Sequence, residues 1–254
     1  MYDSLRSCRD RIYDFAELNF PLDGVKFAGQ YDRPYIVFNM VASVDGKATT
    51  CEGRLDQLGS RPDRYLLKRL RSQVDAVMAG ANTLRQDPFI PTIPDELVTE
   101  RLVNFATPQP LGIVVSGSGD LPQEHRFWNA DRDVRLVVTG EGVAIAPWLT
   151  AQVLQLPMHQ GQIDLAKLLN TLFTDFGIRV LLVEGGATLN YALISQGFAD
   201  EIFLSVAPYI IGGTDNLSIV AGDSYGLGCG NIPKLELRSV YTHASELFLR
   251  YRFT

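Results

Sequence analysis

Apolar residues along this chain gather into short continuous runs separated by polar, glycine-bearing stretches, and those runs define the predicted elements. The first, YIVFNMVAS from Tyr35, shows no alternation and reads as a strand buried on both faces. DAVMAG (75–80), LGIVVS (111–116), VRLVVT (134–139) and RVLLVEGG (179–186) repeat that character, and EIFLSVAPYIIGG (201–213) reads as one long strand. Between them the period changes to that of a helix. Ser60 is placed to cap a helix carrying Pro62 in its first turn, with Leu66, Leu67 and Leu70 as its apolar face. Over 164–176, Leu165, Leu168, Leu169, Leu172, Phe173 and Phe176 form one uninterrupted stripe. Asp164 can cap that helix and Gly177 can end it. ATLNYALISQG (187–197) reads as a third helix, closed by Gly197.

The remaining segments are punctuation. TLRQDP (83–88) reads as a turn, and the Pro-rich stretch 90–111 as a surface excursion holding one short helix. At the C-terminus a hairpin is expected, one arm opening at Leu235 and Leu237. In its other arm Leu247, Leu249, Tyr251 and Phe253 alternate with Glu246, Phe248, Arg250 and Arg252, the period of an antiparallel edge strand. Residues 1–33, a mixed helical stretch and then a Pro/Gly-punctuated one, read as an N-terminal extension, and residues 34–254 as a single domain. Strands separated by helices predict an α/β domain with a mostly parallel sheet and antiparallel strands added at one edge. Ligands of such sheets gather at the carboxyl ends of the strands. That rule selects Ser43–Lys47, Ala79–Asp87, Ser116–Gly119 and Glu184–Thr188.

Composition narrows the classes of function. With 23 Lys plus Arg against 29 Asp plus Glu, the net charge of −6 argues against nucleic-acid binding but leaves room for a small anion held by a few donors. Cys8, Cys51 and Cys229 form no CxxC, and His125, His159 and His243 are scattered, so no metal site is expected. No apolar run approaches the roughly 20 residues of a membrane span, and MYDSLRSCRDRIYDF lacks the apolar stretch of a signal peptide. A cytoplasmic protein without membrane partners is the expectation.

Three motifs carry candidate chemistry. In LVEGGATLN a strand delivers Glu184, two glycines permit a tight turn, and a helix begins. Free amides at such a start attract phosphate, although the same pattern also serves ordinary strand–turn–helix geometry. A carboxylate such as Glu184 at the end of an apolar strand needs a partner, either a structural cation or a ligand. In MVASVDGK, Asp45-Gly46 forms a turn with Lys47 at the lip of the sheet. In LRSQVDAVMAGANTLRQDP, Arg71 precedes a strand and Thr83 and Asp87 follow it; Thr83 can equally cap a helical turn, and Arg71 can be an exposed helix-end cation.

Taken in order, SVDGK, LRSQVDAVMAGANTLRQDP, IVVSGSGDLP, LLVEGGATLNYALISQGFADEI and APYIIGG resemble the reductase domain of the riboflavin-biosynthesis deaminase/reductase, over roughly residues 34–254. The resemblance implies a dihydrofolate-reductase-like fold and an NADPH-dependent oxidoreductase. Its activity would be that of a 5-amino-6-(5-phosphoribosylamino)uracil reductase, passing hydride to the first carbon of the sugar of a ribosylamino-pyrimidine 5′-phosphate to give the ribityl form. It implies Thr83, Asp87, Ser116, Gly185, Gly186, Ala187, Thr188 and Leu189 at the cofactor. Lys47, Arg71 and Glu184 are implied at the phosphorylated pyrimidine, with Lys47, Asp87 and Glu184 as the catalytic group. A homodimer is implied as well, with the C-terminal hairpin as its candidate edge.

The chain lacks the HxE and PCxxC signature of a zinc deaminase, so deamination is not expected. It also departs from the family pattern. Gly53-Arg54-Leu55-Asp56-Gln57 replaces a Gly-Glu-Ser-Xaa-Trp loop, and PFIPTIPDEL follows Asp87 where an arginine for the substrate phosphate is expected. Reduction of a folate or pterin on the same site, and nucleotide binding without turnover, are the alternative functions.

Overall fold

A computed structural model describes residues 12–14, 32–50, 58–86, 89–225 and 232–254. The predicted strands form at β2 (Tyr35–Ser43), β3 (Ala76–Gly80), β4 (Leu111–Ser116), β5 (Arg135–Gly140), β9 (Val180–Val183) and β10 (Glu201–Ala207). They belong to one ten-stranded sheet in the order β1-β11-β12-β10-β2-β9-β3-β4-β5-β6, where β1 is Ile12–Asp14, β6 Gln152–Leu156, β11 Leu235–His243 and β12 Glu246–Phe253. From β10 across to β6 every pairing is parallel, and β12 runs antiparallel to both β10 and β11. The chain is thus a single α/β domain, and the carboxyl ends of its central strands share one edge.

Period-two geometry splits each strand between two cores. Ile36 and Phe38 of β2, Met78 of β3 and Leu181 and Val183 of β9 join one apolar cluster. Val37, Val77, Val180 and Leu182, the alternate positions, join the other. The first cluster is closed by α4 (Leu165–Thr174) and α5 (Ala187–Ser195), through Leu168, Leu169, Leu172 and Leu193. The second is closed by α1 (Arg61–Ser72), through Leu66 and Leu70. Both predicted caps form: Ser60 accepts from the Asp63 amide at 3.1 Å and Asp164 from the Lys167 amide at 2.9 Å. The α4 helix stops at Thr174, so Phe176 lies beyond it, and Gly177 takes a φ of +68° as the chain turns back.

Several expectations are corrected. The long strand from Glu201 ends at Ala207, because Pro208 has no amide and Tyr209 turns back to donate to the Ala207 carbonyl. The segment after β3 is a short helix, α2 (Ala81–Gln86), rather than a turn, since Thr83 and Leu84 face inward. The excursion holds α3 (Asp95–Arg101). Strand β12 is interior, between β11 and β10, and it is Glu246 and Phe248 that are buried while Leu247 is exposed. Edge strand β6 and the hairpin of β7 (Met158–His159) and β8 (Gln162–Ile163) carried no sequence signal strong enough to name. In the N-terminal segment β1 pairs with β11, Ile12 opposite Val240.

Candidate active site

The strand exits converge as the topology requires. A cavity of about 400 Å³ opens at the carboxyl edge of the sheet on the α4/α5 side, in the size range of small-molecule sites. Residues 80–83 after β3, 115–118 after β4, 184–189 after β9 and 161–163 of the small hairpin line it.

The glycine turn forms its floor. The Glu184 amide donates to the Met78 carbonyl and the Gly80 amide to the Gly185 carbonyl, both at 2.9 Å, so the β3–β9 ladder continues into the turn. Gly185 has a φ of +98°, a conformation that excludes side chains, and its peptide bond to Gly186 is cis. Gly186 caps α5 without any side-chain bond. The amides of Ala187, Thr188 and Leu189, the first three of the helix, therefore have no intrahelical acceptor, and all three residues line the cavity. Beside them the buried Thr83 hydroxyl has no hydrogen-bond partner, and a Cβ placed on Gly186 would lie 3.1 Å from it. A helix start with open amides and an unsatisfied hydroxyl against a glycine turn is suited to a phosphate group.

Glu184 lines the cavity, but it is not alone. Arg71 grips it in parallel, Nε to Oε1 at 2.7 Å and Nη2 to Oε2 at 2.6 Å, with the two side chains only 10% and 8% exposed. Arg71 Nη1 donates to the carbonyls of Ile90 at 2.7 Å and Thr92 at 3.3 Å. The guanidinium expected to offer its fork to a substrate phosphate is thus engaged inside the protein. It is neither an exposed helix-end cation nor part of the cavity wall. Arginine can fill this role because it meets a carboxylate and main-chain carbonyls at once.

Lys47 makes a loop contact. Its Nζ donates to the Asn216 carbonyl at 3.0 Å, and Lys47 bridges Ser218. Beside it Asp45 accepts from the Ser43 hydroxyl at 2.6 Å and from the amides of Ile211 and Gly212. Those donors, the Ser43 hydroxyl first, hold the Asp45 carboxyl down to about 2. SVDGK therefore ties the 209–218 loop to the end of β2, and that loop sends Leu217 and Ser218 into the cavity.

Thr83, Ser116, Glu184, Gly185, Gly186, Ala187, Thr188 and Leu189 are brought together on one cavity, whereas Lys47 and Arg71 do not line it. Asp87, and the 53–57 loop, lie outside the described residues. Lining residues not singled out in the sequence include Met40, Thr49, Gln162 and Tyr191, together with Asn82 and Arg85, which lie inside the selected segment Ala79–Asp87. Arg85, two residues past Thr83 on α2, was the most accessible of these to sequence reasoning. Among the described lining residues Glu184 is the anion, in a buried pair with Arg71, and Arg85 the cation, paired with the exposed Asp120. The weaker, exposed pair on Arg85 and the open amides of the α5 start leave the cavity favouring an anionic ligand although the chain carries a net −6.

A family model described as the RibD C-terminal domain matches residues 34–249. The 2,5-diamino-6-ribosylamino-4(3H)-pyrimidinone 5′-phosphate reductase of Methanothermobacter thermautotrophicus is 30% identical over 224 residues, covering 86% of this chain and 98% of the relative. Its counterpart from Archaeoglobus fulgidus is 32% identical over 206 residues, covering 80% and 93%. Among solved structures, RibD of Acinetobacter baumannii superposes with a TM-score of 0.73 at 21% identity, over 88% of this chain and 58% of that one. A pyrimidine reductase-like protein from Corynebacterium diphtheriae gives 0.72 at 20% identity, over 87% and 92%. At such identities the structural likeness speaks for the fold.

Proposed function

The chain belongs to the RibD C-terminal domain family, and from that premise we propose that it is an NADPH-dependent reductase of a ribosylamino-pyrimidine 5′-phosphate in riboflavin biosynthesis. The observation that carries this reading is the cavity itself. Open amides of Ala187, Thr188 and Leu189, the unpartnered Thr83 hydroxyl and the Ser116 hydroxyl converge beside a glycine turn, a donor set matched to a dinucleotide pyrophosphate. The relatives of comparable length carry the diaminopyrimidinone reductase name, which favours that ring over the uracil.

When bound, the nicotinamide supplies the hydride that reduces the first carbon of the sugar. The protein's own work is placement. The α5 start and Thr83 would hold the phosphates, and the role at both ligands implied for Asp87 rests on its motif alone. Each Glu184 oxygen accepts one bond from Arg71 and keeps a lone pair for a substrate hydroxyl. Arg71 is then a positioning residue that fixes the carboxylate, and Lys47 holds the loop that closes the far wall. Alignment of two bound reactants contributes on the order of 7–11 kcal/mol to such a transfer. We also assign residues 1–33 as an extension of the 34–254 reductase domain, and a cytoplasmic homodimer as the working form. No helix among the described residues is long and apolar enough to cross a membrane.

The test is NADPH oxidation with the diaminopyrimidinone phosphate, its deaminated uracil counterpart and dihydrofolate in parallel. Turnover on a ribosylamino-pyrimidine phosphate is expected, and turnover on dihydrofolate alone would overturn the substrate. NADPH binding without oxidation of any of the three points to a nucleotide-binding protein instead. Gly186→Val tests the cofactor placement: its φ of −76° suits any residue, so the fold should hold while the new side chain presses on Thr83. Unchanged NADPH affinity in that variant would falsify the placement.

A further inference from the structure

We infer that Arg85 reads the 2′-phosphate of the adenosine ribose and thereby sets a preference for NADPH over NADH. This rests on the reading of the cavity as a nicotinamide dinucleotide site. The strand order β2-β9-β3-β4 gives the cavity a direction. Met40 and Glu184 mark its β2/β9 end, the glycine turn and α5 start follow, and Ser116, Ser118 and Gln162 mark the β4 end. Neighbouring strands lie about 4.8 Å apart, so the exits of β9 and β4 are separated by about 10 Å. With the pyrophosphate on the α5 start and the reacting ring toward Glu184, the adenosine falls at the β4 end.

Arg85 stands there. It projects from the last turn of α2, and its Nη2 reaches the β4 exit loop, donating to the Asp120 carbonyl at 2.7 Å and to Asp120 Oδ2 at 3.1 Å. Nη1 donates to Asn82 Oδ1. The main-chain bond orients the guanidinium without neutralising it. The ionic partner is a surface one, with the Asp120 side chain 78% exposed and that of Arg85 35% exposed, and exposed pairs of this kind contribute little. A dianionic phosphate can therefore take its place. An arginine at the adenosine ribose is the established way for a dinucleotide site to accept a 2′-phosphate, and the guanidinium fork matches it.

The test is calorimetric titration of the full chain with NADPH, NADH, 2′,5′-ADP and AMP, in the parent, Arg85→Gln and Asp120→Asn. The parent is expected to bind NADPH more tightly than NADH. Arg85→Gln should weaken NADPH and 2′,5′-ADP about tenfold or more, the loss of at least one charged hydrogen bond, and leave NADH and AMP within about twofold. Asp120→Asn removes the competing anion and should strengthen NADPH while leaving NADH unchanged. Equal losses on NADPH and NADH in Arg85→Gln overturn the inference, since the arginine would then serve the pyrophosphate or the fold. Equal affinity of the parent for both cofactors overturns it too. A parent that binds neither dinucleotide removes the reading of the cavity itself, an outcome separable from the first two.

Discussion

Replacing Glu184 by Gln keeps the shape of the side chain and removes its charge, leaving the Arg71 guanidinium buried against a neutral amide. Removing one partner of a buried ion pair costs about 3–5 kcal/mol. The geometry places this site at the lower end, because Arg71 Nη1 retains its carbonyl acceptors on Ile90 and Thr92. A loss of about 3 kcal/mol in a chain of this size lowers the midpoint of thermal unfolding by roughly 6–12 °C. The double variant Arg71→Met, Glu184→Met removes both charges at similar volume and should recover most of that loss, as a buried pair is often replaceable by apolar side chains. Urea unfolding of the parent, the single variant and the double variant measures all three. On the functional side, Glu184→Gln should reduce turnover of the pyrimidine substrate while NADPH affinity changes only a few-fold, since the carboxylate stands at the far end of the cavity from the adenosine subsite proposed at Arg85. A single variant within about 1 °C of the parent, or a double variant no more stable than the single one, refutes the argument that the pair is one electrostatic unit.

Three further outcomes follow from buried groups and backbone geometry. Burial, reinforced by the nearby Glu246 carboxylate, pushes the Asp63 carboxyl up to about 6. The folded protein then holds that proton more tightly than the unfolded chain, so its stabilising effect is intact below about pH 4, is lost as the pH climbs to 6, and stays lost above. Asp63→Asn should accordingly gain about 2–3 kcal/mol at pH 8 and little at pH 4, read from urea midpoints at the two values. Gly185→Ala forces a side chain onto a φ of +98° and should cost about 1 kcal/mol or more, together with most of the NADPH affinity, by unfolding and titration. Arg101 is buried with Nη1 on the Val74 carbonyl at 2.6 Å and Nε on that of Thr107 at 2.9 Å, and Arg101→Ala should lower stability by about 3 kcal/mol, checked by thermal unfolding.

The local pattern of the chain was enough for the central strands, the two capped helices and the glycine turn, because each depends on neighbours in sequence. A continuous apolar run has to be buried on both faces, a Ser or Asp one residue before a helix finds its first-turn amide, and Gly185 must be glycine at a positive φ. The order of motifs also carried the family, since those motifs are the strand exits that the parallel sheet assembles at one edge. Side-chain partnership was another matter. Arg71 and Glu184 are 113 residues apart, and only the packing of α1 against the β9 exit made each the other's partner. Lys47 and Asn216 meet across 169 residues, a contact with the 209–218 loop that no local pattern announces. The alternation in β12 showed a strand but not its place between β10 and β11, because period two distinguishes faces and says nothing of which strand lies alongside. Arg85 is the converse case: it lies inside the strand exit Ala79–Asp87 that the pattern selected, and the tertiary structure added the reach of its guanidinium to the β4 exit loop.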